Sequence, residues 1–423
     1  MINPKINKWL NNQKKKHTLK VDIVNLNKLK KWKFSKVNIS HYSKKFFKII
    51  AIKVKSNFYK KNWDQPIIVQ NEVGILGIIK SKKTQKYLLQ AKVEPGNINK
   101  IQLAPTVQAT KSNYSQVHGG SKVPYVEYFL KLKKLKKYNQ TEQGFRYLNK
   151  FNSNILLEKA IKIKKKDEFY WFSKEEIKKL IKKKNLINQT TISIFSSVIQ
   201  KIKKDNPINN KIKIQTWIRE LNKRFYIKIK VIDLNQLKDW LVNVKEICHK
   251  KKKYFSIIGA NIKANKREVQ NWSQPKIKGT KIAFAGFLKM NHNGTDHYLC
   301  RYVIKPGIKN SVIGCTVNTS DISGYNQNNN LNIIEKNFIK KFFMSKLLKK
   351  NIIFDNILSD EGGRFYQCQI RYVVSLIKHD DIKIIPQNYM WLSHNQIVDM
   401  IKNKKLDIES RLLFACVNID HIK

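Results

Sequence analysis

The stretch NLNKLKKW at residues 25–32 returns as DLNQLKDW at residues 233–240, an offset of 208 residues. Working outward from it, further pairs of segments match at this or a slightly larger offset. They are WL at 9–10 with WI at 217–218, KFFKIIA at 45–51 with KYFSIIG at 253–259, WDQP at 63–66 with WSQP at 272–275, and WFS at 171–173 with WLS at 391–393. A repeat of this length is a duplicated domain and not a solenoid unit.

The boundary between the two copies is expected in the stretch KKDNPINN at residues 203–210. It is polar and contains a proline, as is typical of a linker. We therefore predict an N-terminal repeat at 1–205 and a C-terminal repeat at 206–423.

Each copy has strand patterns first and helix patterns afterwards. Residues 45–54, 73–79 and 87–93 are rich in aromatic and β-branched side chains, which favours strands. Later, Ser173-x-x-Glu176 and Ser393-x-x-Gln396 form capping-box patterns before apolar residues at helical spacing. The predicted fold class is α+β, with one mixed α/β unit used twice. The tryptophans at matched positions are interpreted as core residues.

Composition sets limits on location. The chain has 423 residues, of which 42% are hydrophobic, enough for two cores. We expect no membrane span, because no apolar run approaches the length of about 18–20 residues that one needs. The N-terminal residues have no apolar segment, so no secretory signal is expected. The five cysteines are far apart in sequence, which favours a reducing cytoplasm.

The net charge of +56 allows two interpretations. One is a surface for polyanions such as nucleic acid. However, only 8 of the 85 basic residues are arginine, the residue favoured for specific recognition of phosphates and bases. Lys, Asn and Ile are all abundant and all have A/T-rich codons, so a biased genome is the favoured explanation. Under either interpretation the potential attracts an anionic substrate such as a nucleotide diphosphate.

The segment QAKVEPGN at residues 90–97 opens the most polar block of the first copy. Gln90, Lys92 and Glu94 alternate and therefore share one face of a strand. Such a face either lines a cleft or contacts solvent. The loop that follows, up to residue 120, is dense in amides and hydroxyls, which favours a pocket.

A second polar block occurs in both copies, as TEQGFRY at 141–147 and DEGGRFY at 360–366. Glu and Arg beside glycines, followed by an aromatic ring, could bind a phosphate and stack a base. The alternative is a Glu–Arg pair that stabilises a turn. Dinucleotide-binding, P-loop, HExxH and GxSxG motifs are absent from the sequence, so we expect neither a cofactor nor a metal.

These motifs resemble the NDP-hexose 2,3-dehydratase family. The resemblance spans nearly the whole chain. It is carried by QPII at 65–68, ExGILG at 72–77, QAKxEPGN at 90–97, PTVQAT at 105–110, SNY at 112–114 and EGGRFY at 361–366.

The resemblance implies a tandem duplication of a Nudix-like unit without the Nudix catalytic box, assembled as a homodimer. It implies a dTDP-linked 4-keto-6-deoxyhexose as substrate and elimination of water across carbons 2 and 3. The product would be a 3,4-diketo-2,6-dideoxy sugar, taken up by a downstream 3-ketoreductase.

The second copy departs from the family pattern. It has KPG at 305–307 and CTVN at 315–318, where the family keeps segments like EPG and PTVQ. We therefore expect the active site in the first copy and a partly degenerate pocket in the second, either scaffold or a vestigial nucleotide site.

The expected chemistry needs a base, an acid and a donor to the ketone oxygen. The ketone at carbon 4 acidifies the proton on carbon 3, and the hydroxyl on carbon 2 then leaves without a redox cofactor. The base is Glu94 or His118, and the acid is Tyr114 or His118. Lys92, Asn97 and Asn113 could polarise the ketone, and Arg146, Lys111 and Arg364 could hold the diphosphate. The other expected substrate-binding residues are Thr106, Gln108, Ser112, Gly119, Glu142, Glu361 and Tyr366.

Two other functions compete with this one. The first is a catalytically inactive nucleotide-sugar binder, which the altered second copy makes conceivable. The second, less favoured, is a basic nucleic-acid-binding protein, which would not account for the two polar blocks.

Overall fold

The computed structural model describes residues 3–117, 119–131, 135–160, 163–320, 333–345 and 349–423. Among the helices in these ranges, none combines the length and apolarity that crossing a bilayer requires.

The N-terminal half begins with a helix, continues with strands and closes on two helices. Its elements are α1 (Pro4–Lys16), β1 (Leu19–Val24), β2 (Trp32–Phe34), β3 (Ile39–His41), β4 (Lys48–Ser56), β5 (Trp63–Val69), β6 (Gly74–Ser81), β7 (Tyr87–Lys92), β8 (Gln102–Ala104), β9 (Val107–Ala109), α2 (Lys111–Tyr114), α3 (Glu127–Leu130), β10 (Tyr138–Thr141), β11 (Tyr147–Leu148), β12 (Phe151–Lys159), β13 (Phe169–Phe172), α4 (Lys174–Ile181) and α5 (Gln189–Ser197).

The C-terminal half follows the same order. Its elements are α6 (Lys211–Arg224), β14 (Ile227–Ile232), β15 (Trp240–Val242), β16 (Glu246–His249), β17 (Phe255–Ala264), β18 (Asn271–Gly279), β19 (Ala283–His292), β20 (Thr295–Val303), β21 (Val312–Gly314), β22 (Val317–Thr319), α7 (Ile333–Phe338), β23 (Ile352–Ser359), β24 (Phe365–Tyr366), β25 (Gln369–Leu376), β26 (Tyr389–Ser393), α8 (His394–Lys402) and α9 (Ile408–Val417).

Equivalent contacts recur in the two halves. The Thr106 hydroxyl accepts a hydrogen bond from the Ile79 amide at 3.0 Å, and the Thr316 hydroxyl accepts one from the Leu288 amide at 2.9 Å. Both predicted capping boxes form, at the N-termini of α4 and α8. The α+β class and the two similar halves are therefore confirmed.

The strands form four mixed sheets, two in each half, and one strand of each half crosses to the other. In the six-stranded sheets, β14 pairs with β4 and β1 pairs with β17, both antiparallel. The buried indoles also cross, since Trp32 donates to the Ser273 carbonyl at 2.7 Å and Trp240 to the Asp64 carbonyl at 2.8 Å. The predicted boundary at 205/206 lies between α5 and α6, and it stays a prediction.

Helices α5 and α9 contact each other in the centre of the molecule. The α5 sequence QTTISIFSS carries no charge, and all nine of its residues are buried. A helix that is apolar or small on every face belongs inside a core. Its N-terminus is thereby held beside the polar ends of β7 and β9, where both predicted polar blocks meet.

Candidate active site

A cavity of about 120 Å³ lies between the two halves. The first half contributes the ends of β6, β7 and β9, the first turn of α5 and the loop at 142–152. The second half contributes the loop at 361–364 and Arg267. The polar block at 90–97 of the first half and the block at 360–366 of the second half thus line the same cavity.

Seven of the predicted site residues line this cavity. They are Lys92, Glu94, Gln108, Asn113, Glu142, Glu361 and Arg364. Lys92 and Glu94 are 7% and 2% exposed. Lys92 and Glu94 of the alternating set therefore face a buried cavity and not bulk solvent, whereas Gln90 lies outside the lining and donates to the Pro105 carbonyl at 2.8 Å.

The remaining predicted residues lie elsewhere. Thr106 and Ser112 are buried in structural contacts, with the Ser112 hydroxyl donating to Glu72 at 3.0 Å. Asn97 is buried behind Glu94 and donates to the Lys92 carbonyl at 3.3 Å. Outside the cavity lining are also Lys111, Tyr114, Gly119, Arg146 and Tyr366. His118 lies outside the described residues.

Glu94 is held by donors from both halves. Gln108 Nε2 donates to Glu94 Oε1 at 3.1 Å, and the Gly362 amide donates to Oε2 at 3.0 Å. Lys92 Nζ lies 3.6 Å from Oε1. Burial lowers the pKa of Lys92, and the Glu94 carboxylate partly opposes that shift. The EPG turn after β7 can approach the second half only because residue 96 is glycine, since a Cβ there would lie 1.6 Å from the Phe365 carbonyl oxygen.

Glu361 is the second carboxyl group at this contact. The amides of Gly363 and Arg364 donate to its oxygens at 2.8 and 2.9 Å, and the Tyr147 hydroxyl donates at 3.2 Å. Burial raises the pKa of Glu361, and the negative charge of Glu94 raises it further. A carboxyl group with a raised pKa beside a cavity is suited to exchange a proton near neutral pH.

Lys150 and Tyr147 contribute to the cavity although the sequence did not single them out. Lys150 is 6% exposed and donates to the Glu72 carbonyl. Burial lowers its pKa to about 8, opposed by Glu142. Glu142 in turn accepts from Asn152 Nδ2 at 2.6 Å. Together with Lys92, Arg267 and Arg364, Lys150 gives the lining four cationic groups against three carboxylates, so the cavity suits an anionic ligand.

The arginines of the two polar blocks occupy equivalent positions but different surroundings. The Arg146 and Arg364 carbonyls accept from the amides of Ile68 and Ile277, which aligns these two arginines. Arg146 lies 4.1 Å over the Phe255 ring, and Arg364 lies 4.2 Å over the Phe47 ring. Of the two, only Arg364 lines the cavity.

The equivalent position in the second half has reversed charge. Lys305 precedes Gly307 as Glu94 precedes Gly96, and each glycine amide donates to the opposing loop. Lys305 Nζ lies 2.8 Å from Asp407 Oδ2 and 2.9 Å from Glu409 Oε2, with 2% of its side chain exposed. A buried ion cluster thus stands where the first half has its cavity-lining carboxylate.

Sequence reasoning missed Tyr147, Lys150, Gln189, Thr190 and Arg267 among the lining residues. Gln189 and Thr190 begin the buried helix α5, and Arg267 comes from a turn of the other half. No local pattern marks these positions, because their role depends on contacts between distant segments. Tyr147 alone had a signal, since it ends the block TEQGFRY.

A family model and three known proteins are similar to this chain over most of its length. The family model described as NDP-hexose 2,3-dehydratase matches residues 3–198 and 211–417. A dTDP-4-dehydro-6-deoxy-alpha-D-glucopyranose 2,3-dehydratase of Saccharopolyspora spinosa is 29% identical, covering 97% of this chain and 90% of that protein. Proteins of the same name from Amycolatopsis orientalis and Streptomyces violaceoruber are 28% and 29% identical, covering 97% and 90% of this chain and 89% and 88% of theirs. Because the family model covers both halves, the chain belongs to the NDP-hexose 2,3-dehydratase family.

Proposed function

We propose that the cavity between the halves eliminates water across carbons 2 and 3 of dTDP-4-keto-6-deoxyglucose. The relatives named above carry this activity and substrate in their names. The observation that carries the proposal is the convergence of Glu94, Glu361 and Lys92 on one cavity. These are the group types that proton removal beside a ketone requires.

The proton on carbon 3 is acidic because the ketone at carbon 4 stabilises the resulting enolate. Glu94 or His118 takes this proton, and Glu94 is supported by its place in the cavity. Lys92, whose ammonium group is buried beside Glu94, donates to the enolate oxygen. Asn113 lies in the same lining and is a second donor.

The hydroxyl on carbon 2 leaves as water with a proton from Tyr114 or His118. The resulting enol then becomes the 3-ketone. Tyr114 packs against the apolar cluster around Phe129, and burial raises its pKa. It remains protonated at neutral pH, which an acid requires, but it needs a shift toward the cavity to act.

The nucleotide extends out of the cavity. A volume of about 120 Å³ is below the roughly 300–1,000 Å³ of sites that enclose a whole small molecule, so the sugar end occupies it. Arg364 lies in the lining, and Lys111, exposed two residues from Asn113, meets the diphosphate outside. Arg146 supports this arrangement from behind, through its contact with Phe255.

Four further proposals follow from the family resemblance. Each half is a Nudix-like unit, and the chain forms a homodimer. The protein works in the cytoplasm, which is supported by its five free cysteines. The unstable diketo product passes to a 3-ketoreductase.

The test is incubation with dTDP-4-keto-6-deoxyglucose and a 3-ketoreductase as trap, read by mass spectrometry for the loss of one water. Deuterium uptake at carbon 3 from heavy water is measured in parallel for Glu94→Gln and His118→Asn. Glu220→Gln serves as a control, because this side chain is 57% exposed on α6. We expect Glu94→Gln or His118→Asn to lose exchange at least 100-fold. Binding of the sugar nucleotide without loss of water would identify an inactive binder, and wild-type exchange in both variants would refute these roles.

A further inference from the structure

Lys276 is a buried cation outside the cavity lining. It lies in the middle of β18 with 1% of its surface exposed, and its ammonium group donates to the carbonyls of Gly362 and Gly363, both at 2.8 Å. Enclosing a charged group in this way costs several kcal/mol of desolvation. Because the fold is duplicated, Lys276 can be compared with the equivalent position in the other half.

The fold itself does not need a lysine at this position. Ile277 of the second half is equivalent to Ile68 of the first, so Lys276 is equivalent to Ile67. Both side chains are buried, and both residues are 1% exposed. The Gly363 carbonyl does not need the lysine as a hydrogen-bond donor either. Gln274 already donates to the Gly363 carbonyl, as Gln65 donates to the Phe145 carbonyl at 2.7 Å.

The cation occurs at the contact between the halves where two carboxylates meet. Glu94 accepts from the Gly362 amide, and Glu361 accepts from the next amide, that of Gly363. The equivalent contact, between the loop of Gly307 and the loop of Gly144, has Lys305 and Gln143 in place of Glu94 and Glu361. One contact thus combines a lysine with two glutamates, and the other combines an isoleucine, a glutamine and a lysine.

Lys276 and the two carboxylates hold opposite sides of the same loop. The ammonium group binds the carbonyls of residues 362 and 363, while the amides of these residues bind Glu94 and Glu361. The position of the Lys276 ammonium group is therefore coupled through this loop to the positions of both carboxylates. Burial lowers the pKa of Lys276, and the carboxylates of Glu361 and Glu94 oppose this shift.

We propose that Lys276 is a positioning residue whose buried charge keeps the Glu94–Glu361 pair able to ionise and accept a proton. This inference rests on the proposed function, because Glu94, one member of the pair, is a candidate base there. Without the cation, two adjacent buried carboxylates repel, and the pair retains a proton to higher pH. The other charged or titratable groups around the pair are Lys92, Lys150, Glu142, Arg267, Asp360, Arg364 and the hydroxyl of Tyr147, and the thiol of Cys368 faces Lys276.

The first test is the pH profile of kcat/KM. In Lys276→Ile, which introduces the residue that the other half carries, the acid limb moves up by roughly one to three pH units and activity recovers in alkali. Lys276→Arg, which keeps the charge, leaves the limb near its wild-type position. Lys278→Ile, an exposed position on the same strand, is the control and leaves the profile unchanged. A loss of kcat in Lys276→Ile without movement of the limb would overturn the proposal.

The second test needs no substrate, so it separates this inference from the dehydratase assignment. Unfolding midpoints are measured at pH 8 for Lys276→Ile, Glu361→Gln and the double variant. We expect Glu361→Gln to cost less in the Lys276→Ile background than in wild type, because it then removes an uncompensated buried charge. Additive costs would refute the charge coupling. If coupling is found while no substrate is converted, the dehydratase proposal alone fails.

Discussion

Replacing Lys305 with methionine tests whether the ion cluster of the second half is a structural element. The Lys305 and Asp407 side chains are 2% and 1% exposed, and Glu409 is 11% exposed. Removing one partner of a buried ion pair leaves an uncompensated charge, which costs about 3–5 kcal/mol. We expect Lys305→Met to lower the free energy of unfolding by about this amount at pH 7.

The pH dependence of this loss follows from the two pKa shifts. The carboxylates raise the pKa of Lys305, and Lys305 lowers the pKa of Asp407. A raised lysine pKa contributes stability below the ordinary lysine range, and a lowered aspartate pKa contributes stability above the ordinary aspartate range. Both contributions are complete at pH 7. In acid the difference between wild type and variant shrinks, because the carboxyl groups become neutral.

The assay is equilibrium urea unfolding followed by fluorescence of the eight tryptophans. Lys309→Met is the matched control, since this lysine is exposed on the following turn, and it should change stability by less than about 0.5 kcal/mol. Adding Glu409→Gln to Lys305→Met should recover part of the loss. A Lys305→Met protein within about 1 kcal/mol of wild type at pH 7 would show that the cluster does not stabilise the fold as argued.

Three further predictions concern the loops and caps. Gly96→Ala should lower activity at least tenfold and destabilise the chain, because the added Cβ would lie 1.6 Å from a backbone oxygen. Gly294→Ala is the control for the roughly 1 kcal/mol cost of a positive φ, since its Cβ would contact no other atom. Equal effects of the two substitutions would contradict the contact at Gly96. Ser173→Ala and Ser393→Ala should each cost about 1 kcal/mol in urea unfolding through loss of a capping box, and no loss at either site would refute its importance. Asp360→Asn should be more stable than wild type at pH 8 and equal to it near pH 4. Burial raises the Asp360 pKa to about 7, so the wild type loses stability as the pH rises from the ordinary aspartate range to that value, while the asparagine variant does not. A variant that is less stable than wild type at pH 8 would contradict this.

Local sequence patterns predicted the elements well where a few neighbouring residues decide the structure. The strand predicted at 87–93 is β7, Tyr87–Lys92, and both capping boxes begin helices at the expected serines. Lys92 and Glu94 alternate in the sequence and both line the cavity, which is one of the two arrangements that their spacing allowed. In each case the signal is a period of two residues or a spacing of three, which is contained in a short window.

Aligning the two copies of the second polar block end to end would pair their residues one position away from the structural equivalence. Written side by side, TEQGFRY and DEGGRFY place Glu142 opposite Glu361. The backbone instead pairs Gln143 with Glu361 and Arg146 with Arg364, because the same loop hydrogen bonds form around Gly144 and Gly362. The alignment by residue identity therefore differs from the alignment by structure, because the backbone hydrogen bonds of the loop make Gly144 equivalent to Gly362.

The sequence by itself determined that the chain is a duplicated α+β protein, and that its first copy carries the polar segment with Glu94. Both conclusions come from residues that are neighbours or that repeat at offsets of 208–220 residues. Only the tertiary structure decided that Arg267 and the loop at 361–364 of one half meet the segment of Glu94 in the other, and that Lys276 binds this loop. The physical reason is that the contacts between the halves join segments more than 170 residues apart. Packing of α5 and α9 and exchange of β1 and β14 bring them together, and no local pattern encodes that arrangement.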